Sequence, residues 1–128
     1  MSTREPSPSS SARLLVAAGG LCGALGVALS AVAAHRGGAF TGTAASFLLT
    51  HAPVFLAIGL LGGLVGGNRV LRAGGLILLI GLAVFSGDLV ARDLLGSRLF
   101  PFAAPTGGTL LMVGWLAIAA SALIPPRR

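Results

Sequence analysis

Five side chains capable of chemistry interrupt or border the long apolar stretches of this 128-residue chain: His35, His51, Ser86, Asp88 and Arg92. A histidine and a carboxylate at one level could exchange a proton or hold a cation. An ionisable group inside a membrane span is a functional-site candidate by default. The sequence leaves the charge of Asp88 open, because burial favours the neutral acid whereas a neighbouring cation favours the carboxylate.

The same residues also have a structural interpretation, which the sequence favours. Asp88 and Arg92 are four residues apart, so on a helix they share one face and could form an ion pair. His51 could bond a backbone carbonyl that Pro53, which has no N–H, leaves without a partner. Trp115 lies in the middle of an apolar run, and we expect its indole N–H to find a partner within the protein.

Known reaction motifs are missing from the sequence. It contains no H-x-x-x-H or C-x-x-C metal spacing, no P-loop, no nucleophile elbow and no Rossmann glycine pattern. The single cysteine, Cys22, cannot form an intrachain disulfide, and we expect it to be a small buried side chain. The sequence therefore predicts a protein that is not an enzyme and that needs no metal or cofactor.

The composition indicates a membrane protein. Hydrophobic residues make up 55% of the chain and charged residues only 9%, against about 25% charged in soluble domains. The net charge of +6 comes entirely from arginines, which stand mostly at the ends of apolar runs. Such a distribution orients a protein in a bilayer and does not form a stripe that follows nucleic-acid phosphates, so no nucleic-acid partner is expected.

Four apolar runs, at about 14–34, 47–66, 71–91 and 106–124, are each close to the ~20 residues that a membrane-spanning helix needs. Helices of this length satisfy their own backbone hydrogen bonds in lipid. We predict an all-α, four-transmembrane-helix bundle with short loops over 14–124, a disordered Ser/Pro-rich tail over 1–13 and a short tail over 125–128. The segment 31–34 is similar to a signal-peptidase site, but the first run exceeds the ~7–15 residues of a secretory h-region, so we expect it to be retained.

The arginines predict the orientation of these spans. Four crossings place both termini on one side, together with six arginines: Arg4, Arg13, Arg69, Arg72, Arg127 and Arg128. The other side holds three: Arg36, Arg92 and Arg98. By the positive-inside rule, both termini lie in the cytoplasm. This topology brings the five candidate residues to a similar depth near the outer face.

The 20 glycines predict close helix packing. Gly19 and Gly23 form a G-x-x-x-G pair, which lets helix backbones approach one another in lipid. The predicted packing positions are Gly19, Gly23, Gly26, Gly59, Gly63, Gly107, Gly108 and Gly114. Such faces favour a role in association with itself or with a larger membrane complex. The alternative is a small transporter or proton/ion conduit that uses the polar cluster near the outer leaflet.

Three segments resemble a known family. Residues 19–35 are similar to the opening GxxGAxGVxxGAxxAH of the YgdD-like small inner-membrane proteins, 85–89 to that family's FSGSLY, and 104–115 to its TPxGGxxxxxGW. The resemblance covers about 14–123 and implies a four-span bacterial inner-membrane protein with no assigned activity. Asp88 stands where the family has a small polar residue, and Val90 stands near an expected aromatic.

Overall fold

The computed structural model describes residues 7–64 and 67–125 and contains four helices. They are α1 (Ser10–Arg36), α2 (Ala39–Leu64), α3 (Arg69–Leu94) and α4 (Ala103–Ser121). Each is long and apolar enough to cross a bilayer, and the described ranges contain no strand. The predicted four-helix membrane fold is confirmed.

All four helices begin earlier than the sequence indicated, α1 and α2 by the most. α1 starts at Ser10, so the last four residues of the predicted tail are helical, and the Ser9 side chain caps them by accepting from the Ala12 N–H at 3.2 Å. α2 starts at Ala39 and not near 47, because one face of its first two turns is buried: Thr41 is 1%, Ala44 0% and Ala45 2% exposed. As a result, Pro53 lies inside α2 and not in its first turn.

Two glycines make the connection between α1 and α2. Gly37 and Gly38 adopt φ angles of 75° and 110°, in a region that glycine enters without a Cβ clash. The loop between the first two predicted spans, 14–34 and 47–66, is therefore only two residues long. The outer residues of the predicted tails, 1–6 and 126–128, lie outside the described residues.

The helices pack in chain order. α1 lies against α2, α3 lies against α4, and the two hairpins meet mainly through α2 and α3. Phe55, Leu15, Leu78 and Leu82 form the fully buried centre. Within the described ranges α2 and α4 make no close backbone approach, so a gap remains between these two helices.

Glycines seven residues apart make the close helix contacts. A Cβ added to Gly19 would lie 2.9 Å from the Ala52 carbonyl oxygen of α2, and one added to Gly26 would lie 2.7 Å from Leu49 Cγ. In the second hairpin, Gly107 and Gly114 meet the α3 backbone, and a Cβ on Gly114 would lie 2.9 Å from the Leu78 nitrogen. Seven residues are almost two helical turns, so this spacing keeps the glycines on one face.

The four-residue spacing of glycines predicts the packing positions less well than the seven-residue spacing. Gly59 packs against α1, as predicted, but a Cβ on Gly23 would approach only Ala52 Cβ, at 3.9 Å, and one on Gly108 would meet nothing within 4 Å. Gly23 is turned partly away from α2, because a four-residue step rotates the position by about 40° beyond one full turn. Gly108 follows Gly107 directly and faces away from α3. The surroundings of Gly63 lie outside the part of the chain that the structure describes.

Sequence reasoning also missed two packing positions, Gly74 and Gly81 on α3. A Cβ on Gly81 would lie 2.8 Å from Leu110 Cβ, and one on Gly74 would lie 3.1 Å from Ile118 Cγ1. Their seven-residue spacing matches that of Gly107 and Gly114 on the facing helix. A search for pairs of that spacing would have found both.

Candidate functional site

Asp88 forms a buried polar contact with Arg92. It lies near the end of α3 and is 0% exposed. Its Oδ2 accepts from Arg92 Nε at 2.9 Å and from Arg92 Nη2 at 2.7 Å, which confirms the predicted ion pair. Its Oδ1 accepts the backbone N–H of Leu99 at 2.9 Å. Both carboxylate oxygens are therefore occupied, as a buried charge requires.

The Leu99 contact holds the loop between α3 and α4 in place. Asp88 lies seven residues after Gly81, so it faces the α4 side of α3, and the loop folds back over it. The loop turns through Gly96 at φ 70° and Phe102 at φ 62°. Arg92 adds a contact with α2, since its guanidinium carbon lies 5.5 Å from the centre of the Phe40 ring.

A second carboxylate, Asp93, caps α2. Its Oδ2 accepts the Thr41 backbone N–H at 2.6 Å. The residue before α2 is Gly38, which has no side chain to cap the first-turn N–H groups. A negative charge at a helix N-terminus is also favoured by the helix dipole. This role was not predicted from the sequence, although the absence of a capping side chain before α2 was a usable signal.

His51 forms a further buried polar contact. It is 5% exposed, and its Nδ1 lies 2.7 Å from the Phe47 carbonyl oxygen. Its Nε2 lies 3.3 Å from Trp115 Nε1. Because a carbonyl only accepts and an indole N–H only donates, Nδ1 carries the proton and Nε2 accepts. The two contacts together select the neutral Nδ1–H tautomer.

The His51 contacts test two of the predictions. The indole N–H of Trp115 does have a partner inside the protein, as expected. The carbonyl that His51 binds is that of Phe47, four residues back, and not that of Leu49, which Pro53 leaves without a helical N–H. A histidine four residues after a carbonyl reaches it along its own helix, so Pro53 is not needed to explain the bond.

The remaining candidates stand apart from these contacts. His35 is exposed in the last turn of α1. Ser86 is 4% exposed, and its hydroxyl has no hydrogen-bond partner among the described residues. Over 7–64 and 67–125, no hydrogen bond or ion pair joins His51 to Asp88, and no three His, Cys, Asp or Glu side chains are grouped to hold a metal ion. A similar depth in the membrane does not make the five residues one cluster.

An open groove of about 740 Å³ separates α2 from α4 and has α3 at its base. We call it the α2–α4 groove. Its lining includes the His51–Trp115 pair and, near the predicted outer face, Arg92 and Arg98. Its full lining is Phe47, His51, Phe85, Arg92, Arg98, Ala104, Pro105, Gly108, Thr109, Leu111, Met112 and Trp115.

A smaller groove of about 380 Å³ lies on the α1 side of the molecule, between α1 and α3. It is lined only by apolar side chains, among them Leu14, Leu21, Cys22, Leu79 and Leu82. Cys22 is buried and has no cysteine partner, as expected. The two grooves therefore differ in charge, since arginines line only the α2–α4 groove.

Comparisons with known proteins place the chain in a membrane family. A family model described as "Protein of unknown function (DUF423)" matches residues 22–108. A "UPF0382 membrane protein" of Haemophilus influenzae is 31% identical over 107 residues, which cover 77% of this chain and 85% of that protein. No solved structure matches. The matched family segment runs from the middle of α1 into α4 and includes His51, Asp88 and Arg92.

Proposed function

This chain belongs to the DUF423 family of proteins of unknown function, and from that premise we propose that it is a non-enzymatic protein of the bacterial inner membrane, similar to the YgdD-like proteins, that acts by helix association with itself or with a larger membrane complex. That it is a small multi-pass membrane protein follows from its four spans and its membrane relative. The association, the inner membrane and the orientation are the proposed steps.

The contacts of the buried ionisable side chains support a non-enzymatic role. A general base or a metal ligand needs a lone pair that faces a substrate or an ion. In His51 the accepting nitrogen faces the Trp115 N–H, and in Asp88 both oxygens face donors of the protein itself. A proton or ion conduit would have to break these contacts, so they favour a structural role for both residues.

An exposed face of α1 carries the proposal of helix association. Gly20, Ala24 and Ala28 follow one another at four-residue spacing, and all three are exposed. A Cβ added to Gly20 would meet nothing within 4 Å. Small residues on a lipid-facing surface let another helix approach closely. Gly19 and Gly26, in contrast, are already used for packing against α2.

The arginine distribution supports the orientation. Four spans put both ends of the chain on one face, with six of the nine arginines. On the opposite face, the charge of Arg92 is offset by Asp88 within the protein. The positive-inside rule then places the termini in the cytoplasm and the α3–α4 loop outside.

The association is tested with a matched pair of variants. Gly20→Leu adds a large side chain to the α1 face, whereas Gly108→Leu adds the same side chain on α4, where a Cβ also meets nothing. We expect Gly20→Leu alone to lower the mass of the complex isolated in mild detergent, measured by light scattering with mass spectrometry of the partners. If both variants keep the wild-type mass and partners, α1 is not the association face.

A further inference from the structure

We propose that the α2–α4 groove binds one anionic phospholipid of the surrounding bilayer, with the phosphate at Arg98 and an acyl chain against the groove's aromatic side chains. This site is separate from the α1 face proposed above for association. We call the end of the groove next to the α3–α4 loop its mouth. Three observations support the proposal: the positive charge at the mouth of an arginine that is unpaired among the described residues, the apolar lining below the mouth, and the shortage of carboxylates that could neutralise that charge.

The charge at the mouth belongs to Arg98. Asp88 is neutralised by Arg92, which donates two hydrogen bonds to it. Arg98 is exposed on the α3–α4 loop and has no hydrogen-bond or ion-pair partner within the described residues. The mouth therefore carries one surplus guanidinium, a group whose donors match the oxygens of a phosphate.

The lining below the arginines suits an acyl chain. Phe47, Phe85, Met112 and Trp115 contribute apolar surface along the groove, whose volume of about 740 Å³ falls in the ~300–1,000 Å³ range of small-ligand sites. The groove is open along one side, between two spans, where lipid is the neighbouring medium. A phospholipid in a bilayer has its phosphate at the interface and its acyl chains below. An arginine near the interface with apolar surface beneath it is complementary to that arrangement.

A second copy of this chain is a poorer occupant. It would have to bring a carboxylate to Arg98, and the chain has only Glu5, Asp88 and Asp93. Asp88 and Asp93 are already bound to Arg92 and to the α2 N-terminus. Glu5 lies outside the described residues. A lipid phosphate supplies the missing negative charge without any change in the protein.

The chain carries its own probe for this site. Trp115 is its single tryptophan, lines the groove and is 42% exposed. The full protein chain would be reconstituted in phosphatidylcholine vesicles. These would contain rising fractions of either phosphatidylcholine or phosphatidylglycerol that is brominated in the middle of its acyl chain. Bromine quenches tryptophan on contact. We expect brominated phosphatidylglycerol to reach half-maximal quenching at a fraction about fivefold lower than brominated phosphatidylcholine does. This is the gain in affinity that one guanidinium provides for an anionic lipid.

Two pairs of variants separate binding in the groove from general attraction to the membrane. Arg98→Ala should remove the preference for phosphatidylglycerol, whereas Arg36→Ala, an exposed arginine on the same face, should keep it. Gly108→Leu should weaken quenching by both lipids because it fills the groove, whereas Gly20→Leu should not. Neither glycine has an atom within 4 Å of an added Cβ, so neither substitution begins with a Cβ clash inside the chain.

Each opposite result overturns the proposal. Equal quenching of the wild type by the two lipids would show that Arg98 selects no anion. A preference that survives Arg98→Ala would place the anion elsewhere. Weak quenching of the wild type by both lipids would show that protein, and not lipid, covers Trp115. Quenching that Gly108→Leu leaves unchanged would place the acyl chain outside the groove.

Discussion

Replacing Asp88 by asparagine tests the structural role of the buried ion pair. The amide retains an oxygen that can accept from the Leu99 N–H but removes the negative charge that takes two hydrogen bonds from Arg92. Hydrogen bonds to charged groups contribute ~1.5–3 kcal/mol each, and breaking a fully buried pair costs ~3–5 kcal/mol. The Arg92 side chain is 21% exposed, and its guanidinium can move towards the interface. We therefore expect Asp88→Asn to lower the free energy of unfolding by ~2 kcal/mol.

The loss would be measured as the free energy of unfolding in mixed micelles, followed by Trp115 fluorescence. Asp88→Asn and Arg92→Met should each destabilise, and the double variant should lose less than the sum of the two, because the pair is already broken in each single variant. Arg36→Met is the control and should change the free energy of unfolding by less than ~0.5 kcal/mol. The reasoning is refuted if Asp88→Asn unfolds like the wild type, or if the two single losses add fully.

Three further changes test other contacts. Gly114→Ala places a Cβ against the Leu78 backbone and should cost ~1–3 kcal/mol of unfolding free energy in the same micelle assay, whereas Gly108→Ala should cost almost nothing; equal costs would contradict the packing of α3 on α4. Asp93→Ala removes the cap from α2 and should lower stability by ~1 kcal/mol, with faster hydrogen exchange of the Thr41 amide; unchanged exchange there would argue against the cap. Because the Nε2 atom of His51 accepts from the indole, a Trp115→Phe variant should lose ~0.5–1.5 kcal/mol in thermal unfolding, and a variant as stable as the wild type would show that the bond contributes nothing.

Local features of this protein were predictable from the sequence. The four spans follow from runs of apolar residues that match the thickness of a bilayer. The Asp88–Arg92 pair follows from four-residue spacing on one helix. In both cases the partners are close in the sequence, so no knowledge of the tertiary arrangement is needed.

Contacts between distant segments could not be predicted in the same way. The start of α2 depends on Asp93, 52 residues after the Thr41 amide that it caps. The partner of His51 lies 64 residues away on α4. The topology indicated that His51 and Asp88 lie at similar depth, but contact also depends on how each helix is rotated about its axis. His51 faces α4, whereas Asp88 faces Arg92 and the α3–α4 loop.

The glycine positions show why the spacing of small residues must be matched to a partner helix. Gly19 and Gly23 satisfy the same four-residue motif, yet only Gly19 makes a close contact with α2. The neighbouring Gly20 faces outwards. Which glycines pack within the chain, and which are left for a partner, became distinguishable only once the facing helices were known.

Labelling of single cysteines in intact cells tests the central claim most directly, because the claim requires a four-span chain with the α3–α4 loop outside. In a Cys22→Ser background, cysteines would be introduced at the exposed residues Ser7 and Ser97 and treated with a membrane-impermeant maleimide. We predict that Ser97→Cys is labelled in intact cells and Ser7→Cys only after permeabilisation. Labelling of both positions in intact cells, or of Ser7→Cys alone, would contradict the account.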